Sequence, residues 1–401
     1  MRSSVKRSHL SLILETFWVF LRLGCTSFGG PVAHLGYFQN ELVQRRRWVG
    51  QAIYADIVAL CQFLPGPASS QVALVLGYRH SGLLGGVLGW MAFTAPSTLL
   101  MIAFAYDLHS LDLQHAGWLL GLKVAAVAVV AQAIWVMSIR LCPDPPRITL
   151  MLASAAALIF FHAVWLQPVV IAVGALAGLT FLRDQSAPQH DEQIMAPEQL
   201  LAQKLAALTL TLFALLLGIC LLWQDGGLLQ NLFARFYRTG SLVFGGGHVV
   251  LPLLQAETVR SGLVSHDVFL AGYGAAQAVP GPLFTFASFL GASVTSSYPR
   301  WFLGLWCQVA ILLPSLLLIV GVLPFWARLT GNLQARAALK GANATVVGLL
   351  LAAFYDPVWT GGITSIEAGV LGLVALVLLQ FGKVPNWAIV LLCAAVGQFL
   401  L

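Results

Sequence analysis

The chain has 401 residues, 59% hydrophobic and only 9% charged, with a mean hydropathy of +0.86. A soluble domain carries roughly a quarter charged residues, and no soluble core absorbs this much apolar surface. The net charge of +6, from 21 basic and 15 acidic residues, fits basic cytoplasmic loops and excludes a nucleic-acid partner on composition.

Apolar stretches of about 16 to 25 residues recur along the whole chain, each long enough to cross or deeply enter a lipid bilayer. Residues 1–23 imitate a secretory leader, with Arg2, Lys6 and Arg7 before an apolar run. Glu15 and Arg22 interrupt that run, no small-residue cleavage site follows, and the segment reads as part of the folded protein.

The first apolar segment is broken at Ser27-Phe28-Gly29-Gly30-Pro31, and a second at Gln62-Phe63-Leu64-Pro65-Gly66-Pro67-Ala68-Ser69-Ser70-Gln71. Proline stops one helix and sits well in the first turn of the next, while glycine lets the backbone turn. A helix broken in lipid exposes backbone groups that cost several kcal/mol each unless something satisfies them. A helix start of this kind focuses about half a positive elementary charge and suits an anion. The glycine pairs at Gly85/Gly89 and Gly174/Gly178 read instead as helix-packing contacts.

Crossings are expected near residues 82–106, 116–139, 148–162 and 166–182, followed by a polar, proline-bearing linker at 183–200 and a further apolar segment at 204–223. After it the pattern begins again. Phe20, Arg22, Gly24, Phe28, Gly29, Gly30, Gln39 and Glu41 return 216 residues later as Phe236, Arg238, Gly240, Phe244, Gly245, Gly246, Gln255 and Glu257. Gln62, Pro65, Gly66 and Pro67 return as Gln277, Pro280, Gly281 and Pro282. Pro96-Ser97 returns as Pro314-Ser315, and Leu122-Lys123 as Leu339-Lys340. The expected organisation is therefore a repeat over 1–182, a linker with one extra crossing over 183–226, and a second repeat over 227–401.

An unpaired crossing between two equal halves inverts the second. With the N-terminus inside and both broken segments, 11–44 and 49–80, dipping in and returning, Arg45, Arg46, Arg47, Arg79, Arg140 and Arg147 all stay cytoplasmic. Only Arg235, Arg260 and Arg300 then approach the outer face. The fold class expected is an all-α integral membrane protein of two inverted repeats, about six apolar segments each, with re-entrant helices and one extra transmembrane helix.

Four basic residues fall inside apolar segments and pair through the repeat: Arg22 with Arg238, and Lys123 with Lys340. Intramembrane charges line pathways or pair with one another, and snorkelling or an ion pair with Glu15, Asp56 or Glu257 is the alternative. Glu41, Asp56 and Glu257 are the candidates for proton coupling. The six cysteines form no Cys-x-x-Cys pair and read as reduced packing residues. No His-Glu-x-x-His or Gly-x-Ser-x-Gly motif occurs, so neither a metal site nor a catalytic residue nor a cofactor is expected.

The run Phe20-Leu21-Arg22-Leu23-Gly24, continued by Ser27-Phe28-Gly29-Gly30-Pro31-Val32-Ala33-His34, and the later Gln62…Pro65-Gly66-Pro67-Ala68-Ser69-Ser70-Gln71 resemble the chromate ion transporter family of the long-chain, bidomain type. Arg47-Trp48, Tyr54-Ala55-Asp56 and Phe93-Thr94 with Pro96-Ser97 extend the resemblance, and Phe-Gly-Gly-Gly and Pro-Gly-Pro carry it into the second half. It implies a multi-pass protein of the bacterial inner membrane that expels chromate, a tetrahedral dianion shaped like sulfate, and confers chromate resistance. The second half departs from the first at Leu283-Phe284-Thr285, where Ala68-Ser69-Ser70 stands in the first.

The candidate substrate site therefore comprises Arg22, Ser27, Gly29, Gly30, Gln62, Pro65, Gly66, Pro67, Ser69, Ser70, Gln71 and Lys123, with Arg238, Gly245, Gly246, Gln277, Pro280, Gly281, Pro282 and Lys340 from the second half. Chromate is expected between the halves near the midplane, with access alternating as one half rocks on the other. The competing readings are a carrier of sulfate or another oxyanion, a membrane-embedded reductase, and a structural assembly subunit; a homodimer is compatible with each.

Overall fold

The computed structural model describes residues 8–110, 117–161, 166–182, 203–222, 226–244, 247–326 and 332–401. All regular structure among them is helical. In the first repeat the helices are α1 (His9–Thr26), α2 (Gly30–Phe38), α3 (Gln51–Phe63), α4 (Ala68–Ser110), α5 (Gly117–Leu141), α6 (Pro145–Phe160) and α7 (Leu166–Phe181). The unpaired crossing is α8 (Gln203–Leu222). The second repeat gives α9 (Leu228–Leu242), α10 (Val250–Thr258), α11 (His266–Ala278), α12 (Phe286–Ser293), α13 (Arg300–Val322), α14 (Leu333–Ala353), α15 (Ile366–Gln380) and α16 (Asn386–Leu400). Among the described residues, five helical stretches are long and apolar enough to cross a membrane, including Gly117–Leu141, Gln203–Leu222 and Arg300–Phe325. The expected linker, 183–200, lies outside the described residues.

The elements pair off through the repeat. α1 to α3 answer to α9 to α11, and α4 answers to α12 and α13 together. α4 consists of two helices that meet at a kink, because Ser81 and Gly82 leave helical geometry, Gly82 at φ +77; the equivalent bend in the second repeat is the stretch between Ser293 and Arg300.

Each repeat opens with two helical hairpins that enter and come back. α1 is capped by the Ser8 hydroxyl, which accepts the Ser11 N–H, and it ends where Ser27 turns extended. Pro31 then starts α2, and the chain continues through a π-helical turn, Gln39–Arg45. Arg46 Nη1 donates to Glu15 Oε1 at 3.1 Å, so the end of this hairpin lies beside the start of α1. The second hairpin, α3 with the first part of α4, returns to the same level: the His80 ring stacks on Trp48 with centroids 3.8 Å apart. The re-entrant arrangement expected for both segments is therefore the one observed.

The remaining helices interlock the repeats. α5 runs antiparallel to α16, with Gly117 against Gly397 and Gly121 against Cys393. Its equivalent, α14, runs antiparallel to α7, with Ala337 against Gly178 and Gly341 against Gly174. The second part of α4 and its counterpart α13 also run in opposite directions: the Trp301 N–H donates to Tyr106 Oη at 3.3 Å, and Gly304 packs on Ile102. Equivalent membrane helices that oppose one another are the signature of inverted repeats. α8 lies at the periphery, held by bonds from Arg238 and Tyr237 to its Cys220 and Phe213 carbonyls.

Candidate functional site

The four hairpin tips meet in the interior, and they meet across the repeats. The Gly66 N–H, in the second tip of the first repeat, donates to the Val243 carbonyl beside the first tip of the second repeat, at 2.8 Å. The Gly281 N–H donates to the Ser27 carbonyl at 2.9 Å. These two bonds are repeat equivalents. Each satisfies one backbone donor and one acceptor that helix breaks would otherwise leave bare at membrane depth, a gain of several kcal/mol in hydrocarbon.

Only glycine fits these two points. Gly66 has φ +120 and Gly281 φ +104, and L side chains rarely adopt either. A Cβ on Gly66 would lie 2.8 Å from the Ser315 Cβ, and one on Gly281 would lie 2.7 Å from Ser97 Oγ. Pro96-Ser97 and Pro314-Ser315 thus abut the opposite repeat's tips. Their recurrence is visible in the sequence, but nothing there ties them to the breaks.

Several polar groups at the tips are buried and unused. Ser27 Oγ, Ser70 Oγ and Gln71 Oε1 have no hydrogen-bond partner among the described residues. Gln71 Nε2 donates to the Pro65 carbonyl at 2.8 Å, which bridges the break from inside. Ser69 and Ser70 are fully enclosed in the first turn of α4, whose N–H groups have no partner within the helix. In the second repeat the corresponding turn is a tight 3₁₀ segment, Leu283–Thr285, and the Thr285 hydroxyl donates back to the Pro282 carbonyl at 2.8 Å. The first repeat therefore keeps the Ser70 hydroxyl available where the second uses that of Thr285. No carboxylate stands in the described tip segments.

Two histidines, which have no ligand spacing in the sequence, border the tips. His34 Nε2 lies 3.1 Å from the Ser27 carbonyl, and His248 Nδ1 lies 3.0 Å from Tyr273 Oη. A signal exists in the sequence: each follows its own Phe-Gly-Gly break by a few residues. Among the described residues no group of histidines, cysteines and carboxylates could hold a metal ion.

The candidate charged residues are not gathered at the tips. Arg238 is engaged by Glu257 through two bonds, at 3.0 and 2.8 Å, and by the Cys220 carbonyl at 2.8 Å. Glu41, the counterpart of Glu257, binds Arg46 at 2.7 Å and Arg45 at 3.1 Å at the open end of the first hairpin. Arg22 is exposed on α1. Lys123 is buried and donates to Asp267 Oδ1 at 2.6 Å. Lys340 is half-buried, near enough to Asp144 to bear on its charge. Asp56 is half-buried on α3 and Gln62 exposed at its end. Gly29 and Gly30 shape the first tip at φ +98 and +76, and Pro65, Pro67, Pro280 and Pro282 bracket the other two. Gly245 and Gly246 lie outside the described residues. A cavity of about 60 Å³, lined in part by Gln167, Gln255 and Arg260, opens beside the far end of α10, away from the tips.

Sequence comparison agrees with this two-part layout. The sequence model of the chromate transporter family matches residues 14–179 and 230–398, one match for each repeat. The chromate transport protein of Pseudomonas aeruginosa is 27% identical, over 85% of this chain and 80% of its own. That of Cupriavidus metallidurans is 28% identical, over 94% and 90%. An uncharacterised transporter of Methanocaldococcus jannaschii is 25% identical, over 88% and 86%. No solved structure matches the chain. With both hairpin pairs, their breaks and the crossings between them covered by the match, this multi-pass membrane protein belongs to the chromate transporter family.

Proposed function

We propose that the protein exports chromate from the cytoplasm and that the oxyanion binds where the four tips meet. The observation that carries this reading is the pair of enclosed, unused hydroxyls there, those of Ser27 and Ser70, beside the helix start of α4. A tetrahedral dianion needs many donors and no nearby carboxylate, and neutral dipoles at a helix start hold an anion without trapping it. Arg22 and Lys123 act at a distance, drawing the anion inward rather than touching it. The same donors suit sulfate, so chromate and sulfate compete in this reading. The family is one of transporters, and the role of the protein is movement of chromate rather than its reduction.

Access alternates as the hairpin tips and the interlocked helices around them move past one another. An inside-negative potential is worth about 2.3 kcal/mol per charge per 100 mV, so a departing dianion gains roughly 4.6 kcal/mol per 100 mV. Export therefore needs no coupled ion, and in a bacterial inner membrane it would give chromate resistance. Everted vesicles test the proposal. A potential without a pH gradient should drive chromate uptake with total Cr(VI) conserved; uptake that requires the pH gradient, or loss of Cr(VI), would refute it.

A further inference from the structure

The joint between the tips is made twice, once with a histidine and once without. The Ser27 carbonyl accepts the Gly281 N–H at 2.9 Å and also lies 3.1 Å from His34 Nε2. At the equivalent joint the Val243 carbonyl accepts the Gly66 N–H at 2.8 Å, and the residue 216 positions after His34 is Val250. That second joint closes with no imidazole, so a histidine is not needed to hold two tips together. Ser27 answers to Val243 in the same way, and the polar pair Ser27 and His34 belongs to the first repeat alone.

Both members of that pair are enclosed and incompletely used. Ser27 and His34 are 0% exposed, and Ser27 Oγ and His34 Nδ1 have no hydrogen-bond partner among the described residues. A carbonyl only accepts, so the ring proton sits on Nε2, and Nδ1 of the neutral ring carries a lone pair. The Ser27 hydroxyl could donate to that lone pair, yet the two do not bond each other, and both stay open to a third group. His34 is the only titratable side chain in residues 27–34 and 62–71, the two tips of the first repeat. Against it α4 presents Phe93, whose ring meets the imidazole edge-on with centroids 5.4 Å apart; Arg79, His80 and Asp107 of that helix lie several turns away. On α3, Tyr54 is spent on the Leu35 carbonyl at 2.6 Å, on α1 Arg22 is exposed, and beyond α2 Glu41 is held by Arg45 and Arg46. From the second repeat, His248 is bonded to Tyr273.

We propose that His34 contacts the oxyanion at the tips through Nδ1, and that each chromate dianion binds together with one proton, which this nitrogen takes from water on the side of entry. An unprotonated oxyanion offers only acceptors. A ring held between the Ser27 carbonyl at Nε2 and an anion oxygen at Nδ1 has an acceptor on each side, and only the imidazolium, with two N–H donors, satisfies both. The proton also supplies the positive charge that Arg22, Lys123, Arg238 and Lys340 do not bring to the tips. A charge that arrives with the anion leaves no unpaired cation enclosed at membrane depth when the site is empty. The loaded site then holds one net negative charge, so a membrane potential alone still drives export.

The inference rests on the reading of the tips as the chromate site, and a proton count tests it separately. Calorimetric titration of the purified full chain with chromate, in HEPES and in Tris at one mildly alkaline pH where free chromate is a dianion, gives the protons taken up per anion from the difference in buffer ionisation heat. The wild-type chain should take up close to one, and its affinity should fall about tenfold for each unit of rising pH. His34→Gln keeps an amide donor for the Ser27 carbonyl but cannot be protonated. Its melting temperature should stay near that of the wild type, while the proton count falls to zero and the affinity, about tenfold weaker, loses its pH dependence. Should His34→Gln not fold, His34→Val, which copies Val250 of the other joint, takes its place. Chromate binding without proton uptake in the wild type, or with the same uptake in the variant, overturns the inference and leaves the chromate reading standing. A wild-type chain that binds no chromate refutes both.

Discussion

Gly66 and Gly281 occupy equivalent positions in the two repeats, and each donates its backbone N–H to the other repeat, to Val243 at 2.8 Å and to Ser27 at 2.9 Å. The tips of one repeat are thereby completed by the tips of the other. A single repeat would leave these donors and acceptors bare at membrane depth, which is a physical reason for the duplicated halves to act as one unit.

Gly66→Ala should abolish transport and lower stability by about 1–3 kcal/mol, since the new Cβ meets Ser315 and the backbone sits at φ +120. Gly281→Ala should behave alike against Ser97. Thermal unfolding in detergent together with flux measures both effects. Gly36→Ala, where a Cβ meets nothing within 4 Å, is the control expected to stay near wild type.

Ser70→Ala and Thr285→Ala should separate binding from stability. The Ser70 hydroxyl is unused by the protein, so its loss should weaken chromate binding by roughly tenfold, equivalent to about 1.4 kcal/mol, with little change in melting temperature. Thr285 donates to Pro282, so its loss should lower the melting temperature and leave affinity nearly intact. Chromate binding followed by calorimetry, beside thermal unfolding, distinguishes them.

Arg238→Ala should destabilise the protein by about 1–3 kcal/mol, because it frees the Cys220 carbonyl and leaves the Glu257 carboxylate with Arg235, 3.7 Å away, as its remaining partner. Arg238→Ala combined with Glu257→Gln should recover much of that loss in thermal unfolding. Arg22→Ala, at the equivalent but exposed position, should leave stability within about 0.5 kcal/mol and reduce only the rate of chromate flux.

Asp144 caps α6 through the Arg147 N–H at 3.1 Å and accepts from Arg147 Nε at 2.8 Å. The hydrogen bond from Arg147 holds its carboxyl below the ordinary aspartate range. A lowered folded-state value means that the stabilisation is present above the unfolded value and disappears as pH falls through the folded one. Asp144→Ala should cost about 1 kcal/mol at neutral pH, and the gap to wild type should close in strong acid. Unfolding curves across that range check the sign.

The duplicated breaks, the inverted halves and the unpaired α8 can be read from the sequence, because repeats, charge bias and proline–glycine punctuation are local signals. The return of both hairpins is legible for the same reason: Arg45, Arg46, Arg47 and Arg79 require one face, and Arg46 on Glu15 with His80 on Trp48 shows it. What a single sequence lacks is the pairing between distant parts. Arg238 reads as an intramembrane cation open to a substrate, whereas Glu257 and Cys220 hold it. Lys123 and Asp267 lie 144 positions apart, with no periodicity joining them. The exchange of tip contacts between repeats is hidden because equivalent segments read alike, so nothing says whether Gly66 meets its own repeat or the other. The unequal burial of α3 and α11 is hidden too, since the two helices read as repeat equivalents.

Chromate flux into proteoliposomes of the purified chain, under an imposed inside-positive potential and with sulfate as competitor, tests the central claim most directly. Accumulation driven by the potential, lowered by excess sulfate and lost in Gly66→Ala is the predicted result. Accumulation no greater than in protein-free liposomes, or equal in Gly66→Ala and wild type, would contradict it.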